Sequence, residues 1–450
     1  MTGATFLLVG ARVIDPGAGE DAVRDVAVLD GRLVGPEQLP EMAPRVAADG
    51  LIVAPGFVDL HAHLREPGDE GAETIATATA AAARGGFTTV CAMPNTTPAL
   101  DDAALLAELD ARAAGCAARV RWIGAVTAGR GGVTLADLEA LAAAGAVAFS
   151  DDGVAVTDAV SRAALERCAA LDLPLIEHAE DAALAAGSVM RAGPTAVRLG
   201  LRGWPAEAEL ACVERDLALA ERTGARVHLT HLSTAAALDA VRAARSRGVR
   251  VTCDVTPHHL ALTDAWVAGD RSFSWEAAGD VDSALAYDGR CRVNPPLPAR
   301  DDALALLAGL ADGTVDAVAT DHAPHPPQRK LLPFDEAAPG LIGLETALSL
   351  GLAAVEAGRV PLPVLLAALS SRPARIIGEQ RGLGLGAVAD LVAFDPAATW
   401  TVAADGLASR SANTPLLGRE LPGVVRLTLA GGRVTWDAGT VFPRSMHAAG

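Results

Sequence analysis

The rhythm of apolar positions along this chain changes twice. Over residues 1 to about 53, apolar residues fall in short runs broken by Gly and Asp (FLLVGARVID, DVAVLDGRLVGP, RVAADGLIVAP), which predicts short strands joined by turns. From Gly56 to about Gly378, apolar runs of strand length alternate with alanine-rich amphipathic stretches. The runs are TTVCAMP, VRWIGAV, AVAFSDD, LPLIEHA, RVHLTHL, RVTCDVTP and VDAVATDHAP; ETIATATAAAARGG and AAALDAVRAARSRG are two of the stretches between them. Alanine is the strongest helix former, so these stretches predict helices. From Leu383 to Gly439 the helical period is lost and strand-like runs return, in ADLVAFDP, TWTVAA and VVRLTLAGGRVTW.

Strand and helix alternating at this spacing predict an α/β protein built on a (β/α)8, TIM-like barrel. The two flanking segments predict a small β-sandwich made jointly by the chain ends. The expected boundaries are 1–54 and 381–445 for the small β-domain and 55–380 for the barrel, with disorder only in the last few residues.

Composition narrows the function. A chain of 450 residues with 51% hydrophobic side chains can bury one large core. Its net charge of -18, from 55 acidic and 37 basic residues, comes with no basic run that could follow a phosphate backbone or an anionic bilayer, so nucleic acid and lipid are excluded as expected partners. The N-terminus lacks a basic n-region, and no stretch of about 18–20 apolar residues runs without charge or glycine, so neither export nor membrane insertion is expected. Six cysteines without a CxxC pair read as small core residues in a reducing, cytoplasmic compartment, and none reads as a nucleophile.

Nine of the ten histidines sit at the ends of apolar runs; His447 is the exception. A barrel brings the C-terminal ends of its strands to one face, so these histidines are expected to converge. In VDLHAHLREPG, His61 and His63 alternate along a strand and share a face, where two imidazoles can grip a divalent cation. A hydrogen-bonded pair of core histidines would explain an isolated HxH equally well. Four further strand ends, FSDDG, IEHAED, HLTHLS and ATDHAPH, add hard or borderline donors and tip the balance to metal. His61, His63, His178, His231, Asp321 and one of Asp151 or Asp152 exceed a four-coordinate shell with an open position, which points to two metals bridged by a carboxylate.

These motifs, in this order and between two β-units, resemble the amidohydrolase superfamily over almost the whole chain. Many binuclear members bridge their metals with a carboxylated lysine. The sole lysine here, Lys330, lies beyond the last ligand motif in PPQRKLLP, which leaves the bridge to FSDDG. HAHLREPG, GGFTTVCAMPNTTP, VTPHHLALTD, RVNPPLP, ATDHAPH and NTPLLGREL resemble the class I dihydroorotases in particular. That resemblance implies two zinc ions held by His61, His63, Asp152, His178, His231 and Asp321, with Asp152 as the bridge and Asp151 as its alternative. It implies Asp321 as general base, and Arg65, Asn95, Asn294, His325, Pro339 and Gly340 at the substrate. The implied reaction is the interconversion of N-carbamoyl-L-aspartate and (S)-dihydroorotate plus water in de novo pyrimidine (UMP) biosynthesis, by a hydroxide bridging the zinc ions.

Arg65 can meet the substrate carboxylate with a fork of donors, or else pair with Glu66 or Glu73. Asn95 and Asn294, each beside proline, would read as turn residues without the resemblance. His228 is expected off the metal, His258 and His259 as a structural pair, and His322 in support of Asp321. Two stretches depart from the family: APGLIGLE stands for PFGITGFE, so Pro339 offers no N–H, and GDEGAET has Ala72 in place of a common lysine. The rival readings are a hydantoinase, dihydropyrimidinase or allantoinase, and a non-catalytic scaffold for aspartate transcarbamoylase. A homodimer or a transcarbamoylase complex is the assembly expected, although nothing in the sequence marks an interface.

Overall fold

The computed structural model describes residues 3–439. The expected terminal disorder, residues 440–445 of the small β-domain and His447 lie outside the described residues. Eight strands run parallel and pair in chain order: β1 (Phe57–Ala62), β2 (Phe87–Ala92), β3 (Arg119–Gly124), β4 (Ala148–Phe149), β5 (Leu175–Glu177), β6 (Val227–Leu229), β7 (Val251–Val255) and β8 (Ala317–Val318). A parallel bridge between Ala62 and His322 closes the barrel, reinforced by the His63 N–H donating to the His322 carbonyl at 2.9 Å.

Alternation along the strands separates two cores. Val58, Leu60, Cys91, Ile123, Ala148, Ile176 and Ala317, drawn from six strands, meet Ala374, Ile376 and Ile377 in one packed cluster inside the barrel. The outward-facing residues, among them Phe57, Phe87, Val90 and Phe149, pack against the helices. The β1–β2 register shifts between Asp59 and Ala62, where the strand passes from the interior cluster to His61 and His63. The alanine-rich stretches are helical as expected, over Ile75–Arg84 and Ala235–Ser246. Thr74 and Thr77 form a reciprocal capping box at the first, and the Thr234 hydroxyl caps the second.

Both chain ends enter one further sheet, in the order Arg433–Asp437, Glu420–Ala430, Leu391–Thr401, Ile52–Pro55, Phe6–Asp15, Glu20–Leu29 and Arg32–Val34, with Arg45–Ala47 also paired to Phe6–Asp15. Phe6, Leu8, Val13, Val28, Leu391 and Leu429 share its core, so the small β-unit read from the two ends of the sequence is a single body. No helix among the described residues is long and apolar enough to cross a membrane.

Candidate metal centre and substrate pocket

The six expected ligands come from five strand ends and gather at one rim of the barrel. His61 Nε2 lies 3.5 Å from Asp152 Oδ1 and 3.5 Å from Asp321 Oδ1. His63 Nε2 lies 3.0 Å from Asp321 Oδ1 and 3.7 Å from Asp152 Oδ2. His178 Nδ1 is 3.6 Å from Asp152 Oδ1 and faces His231 Nε2 at 3.0 Å. Asp152 therefore stands among four imidazoles. Two overlapping donor sets, His61–His63–Asp321 and His61–Asp152–His231, each bring three ligand atoms within 4.8 Å of one another.

This donor set fits divalent cations. His61 Nε2, the ring nitrogen that faces Asp152 and Asp321, is buried without a hydrogen-bond partner, an arrangement that proteins avoid unless something else satisfies the atom. Four imidazole nitrogens with two carboxylates suit zinc. Electrostatics agree: burial alone would raise Asp152 and Asp321, but the neighbouring histidines hold both below the usual carboxylate range. Burial works against the His61 imidazolium, yet Asp152 and Asp321 lift it to about 9. A third donor cluster, Glu177, Cys212 and Asp216, is filled instead by Arg215, whose guanidinium is 2.9 Å from Asp216 and 3.5 Å from Glu177.

Behind the ligands stands a layer that sequence reasoning missed. The Asp254 carboxylate accepts the His231 N–H at 2.6 Å and also bonds the His228 ring at 2.8 Å. Thr230 Oγ1 meets both Asp254 and His61 Nδ1, the latter at 3.0 Å. The His231 bond is to its main-chain N–H and holds the strand end, while Thr230, donating to Asp254, accepts from His61 Nδ1 and so fixes the orientation and tautomer of that ring. The signal was present in TCDVTP, an aspartate inside an apolar strand, which only a buried partner would justify. Three non-glycine residues of the site take left-handed backbone, Arg65 (φ 61°), His231 (φ 41°) and Asp321 (φ 45°). Strain on the order of 1–3 kcal/mol at such a residue collects where function holds it.

A cavity of about 280 Å³ opens on this cluster, lined by every expected ligand except the more deeply buried His61 and by Arg65, Asn95, Asn294, His325, Pro339 and Gly340. Asn95 links two of the expected ligands, its Oδ1 2.8 Å from His63 Nδ1 and its Nδ2 donating to Asp152 Oδ2 at 3.1 Å. Asn294 Nδ2 donates to His178 Nε2 at 3.3 Å. Arg65 pairs with neither Glu66 nor Glu73: its Nε donates to the Pro324 carbonyl at 3.2 Å, while Glu73 is taken up by Ser409 and Arg410 and Glu66 faces Arg112. His325 Nε2 donates to the Pro339 carbonyl at 2.8 Å, and burial, with Arg65 beside it, pushes the ring down to about 3.

One expectation is corrected. The His322 ring does not support Asp321; it lies 3.4 Å from Glu73 and accepts the Gly343 N–H at 3.2 Å, because successive residues at the strand end point to opposite sides. His228 bonds Asp254 and Thr252, and His259 bonds Thr256 and the Pro295 carbonyl, so both rings serve the framework. The His258 ring packs 4.6 Å from that of His259.

A closed parallel barrel with a small terminal sheet is the architecture of the hydantoinases. The chain matches L-hydantoinase (dihydropyrimidinase) from Arthrobacter aurescens with a TM-score of 0.82 over 98% of each chain, at 24% identity. It matches dihydropyrimidinase from Brevibacillus agri NCHU1002 with a TM-score of 0.79 over 98% of this chain and 96% of that one, at 21% identity. Sequence comparison is more specific. A dihydroorotase of Anaeromyxobacter dehalogenans (strain 2CP-C) is 48% identical over 441 residues, covering 96% of this chain and 98% of that protein. A dihydroorotase of Geobacter metallireducens is 43% identical over 437 residues, covering 96% and 99%. A family model described as dihydro-orotase-like matches residues 50–237. The chain belongs to the dihydroorotase family.

Proposed function

We propose that this chain is a zinc-dependent cyclic amide hydrolase that interconverts (S)-dihydroorotate plus water and N-carbamoyl-L-aspartate in de novo pyrimidine biosynthesis. The observation that carries the substrate is Arg65, a guanidinium lining the ligand cavity whose best bond goes to a main-chain carbonyl rather than a carboxylate. A cation so placed suits the carboxylate that dihydroorotate carries and neutral rings lack.

Two zinc ions would be held by His61, His63, Asp152, His178, His231 and Asp321, with Asp152 shared. Bound there, they would lower the pKa of water towards ~7 and polarise the ring carbonyl. Asp321, kept ionised and 3.0 Å from His63 Nε2, takes the proton of the attacking water and passes it to the departing ring nitrogen. Arg65 holds the substrate carboxylate, and Asn95 and Asn294 orient the ring from the two sides of the ligand cluster. His325, neutral across the working pH range, shapes the pocket beside Arg65. The pyrimidine contacts expected of the 339–340 backbone are narrowed here, since the Gly340 N–H already donates to the Arg292 carbonyl at 2.9 Å.

The same reading divides the chain into a barrel over 55–380 and a small β-domain from 1–54 and 381–445, and assigns the enzyme to the cytoplasm, consistent with six free cysteines. The complete donor set argues against a non-catalytic scaffold. Turnover of L-dihydroorotate, hydantoin and dihydrouracil by one preparation tests the substrate. Dihydroorotate should be favoured by at least about 10-fold in kcat/KM, the worth of one charge-assisted contact. A preference for either neutral ring would overturn the assignment.

A further inference from the structure

Lys330 is the only lysine in a chain with 37 basic residues, and it is not on the surface. It ends the short helix Pro327–Lys330 and is 4% exposed. Its Nζ donates to three main-chain carbonyls, of Arg292 at 3.1 Å, Ala338 at 2.6 Å and Gly340 at 2.8 Å. The first belongs to the segment that carries Asn294. The other two flank Pro339, whose carbonyl holds the His325 ring.

We propose that Lys330 is a positioning residue for the reaction: its ammonium clamps the Arg292–Asn294 and Ala338–Gly340 segments together and so sets the spacing of Asn294 and His325 across the substrate. Further bonds close the same junction. The Arg292 carbonyl also takes the Gly340 N–H, and Asn413 spans the Gly340 carbonyl at 3.2 Å and the His325 N–H at 3.0 Å. The path of the loop leaves no slack. At Gly340 (φ 123°) a Cβ would sit 2.6 Å from that of Ala323 and 3.2 Å from His325 Nε2.

Chemistry explains why lysine persists here while arginine serves everywhere else. An ammonium splays three N–H groups towards three converging acceptors, whereas a guanidinium directs its donors in one plane. Burial opposes the charge and pushes the amine down to about 7, and its hydrogen bonds go to carbonyls rather than to a carboxylate. An apolar side chain would leave the Ala338 carbonyl without this donor and the Arg292 and Gly340 carbonyls with one partner fewer, so the loop geometry here depends on the three bonds of one ammonium.

The inference rests on the dihydroorotase reading, and the test begins with turnover of L-dihydroorotate by the wild-type holoenzyme. Inert wild type would overturn that underlying reading before any substitution is made. With active wild type, Lys330→Met, close in volume and without donors, should raise KM for dihydroorotate by about 10-fold or more while kcat falls by less than about 3-fold. Zinc content should be unchanged and the thermal midpoint lower by no more than about a few degrees, since three main-chain carbonyls lose a donor. An unchanged KM in folded, zinc-loaded variant would overturn the proposal.

Should the variant fail to fold, the wild type still decides, because acylation of the sole ε-amine can be followed by mass spectrometry. A saturating equilibrium mixture of dihydroorotate and N-carbamoyl-L-aspartate should slow acylation of Lys330 by about 5-fold or more, since bound substrate holds the clamped loops shut. Equal rates with and without that mixture would overturn the proposal.

Discussion

Asp151 and Asp152 are neighbours whose carboxylates go to different partners. Asp152 stands 3.5 Å from His61 Nε2 and 3.6 Å from His178 Nδ1, whereas Asp151 accepts the N–H groups of Val126 and Thr127 at 2.9 and 3.1 Å and the Thr127 hydroxyl. Arg130 holds the backbone of both by donating to their carbonyls. One aspartate thus fixes the loop after β3, and that anchoring aims the other at the histidines.

Asn substitution should separate the two roles. Asp152→Asn is expected to bring zinc from two per chain to one or none and to lower turnover by about 10³-fold or more, as removal of a shared ligand does. Asp151→Asn should retain its zinc and lose about 1–3 kcal/mol of stability through the anchored loop. Elemental analysis and thermal melts of both variants check this; zinc lost from Asp151→Asn but kept by Asp152→Asn would reverse the assignment.

Arg65→Lys keeps the charge and loses the planar fork. KM for dihydroorotate should rise by about 10- to 100-fold with a smaller change in kcat, because the contact is made in ground and transition state alike. Steady-state kinetics at saturating zinc measure this, and an unchanged KM would separate Arg65 from the substrate carboxylate.

Much of this arrangement was legible because strand ends repeat one signal. A histidine or aspartate after an apolar run has a fixed destination in a parallel barrel, so His61, His63, His178 and Asp321 could be gathered from their positions, while the choice of His231 over His228 drew on the family resemblance. The choice within FSDDG needed three dimensions, since alternation does not say which of two adjacent carboxylates a two-residue strand will aim inward. The role of Glu73 stayed hidden because its partner Ser409 comes from the far end of the chain, and that of Asp254 because its partners, His228, Thr230 and the His231 main-chain N–H, lie on the neighbouring strand and its end, where only the strand pairing brings them together. Lys330 was visible as the sole lysine, but its loop-like surroundings of Pro and Gln gave no sign of burial.

Glu209 supplies a pH test away from the ligands. Burial raises its carboxyl to about 7 even though Ser233 and Thr234 donate to it. The folded state then binds more protons than the unfolded state from the unfolded carboxyl pKa near ~4.3 up to about 7. Its contribution to stability is therefore full below that window, declines as pH rises through it, and is flat above. Glu209→Gln lacks this titration, so the stability of the variant relative to wild type should increase from pH 4.5 towards pH 7. Denaturant melts across that range would show it; a constant difference would mean that Glu209 is ionised throughout.

The most direct test of the central claim is metal content and turnover on one sample: elemental analysis of the purified chain, then hydrolysis of L-dihydroorotate followed by loss of ultraviolet absorbance, before and after chelation. Two zinc ions per chain, activity abolished by the chelator and activity restored by added zinc are expected. Metal-free protein that still opens dihydroorotate, or zinc-loaded protein that leaves it intact, would contradict the assignment.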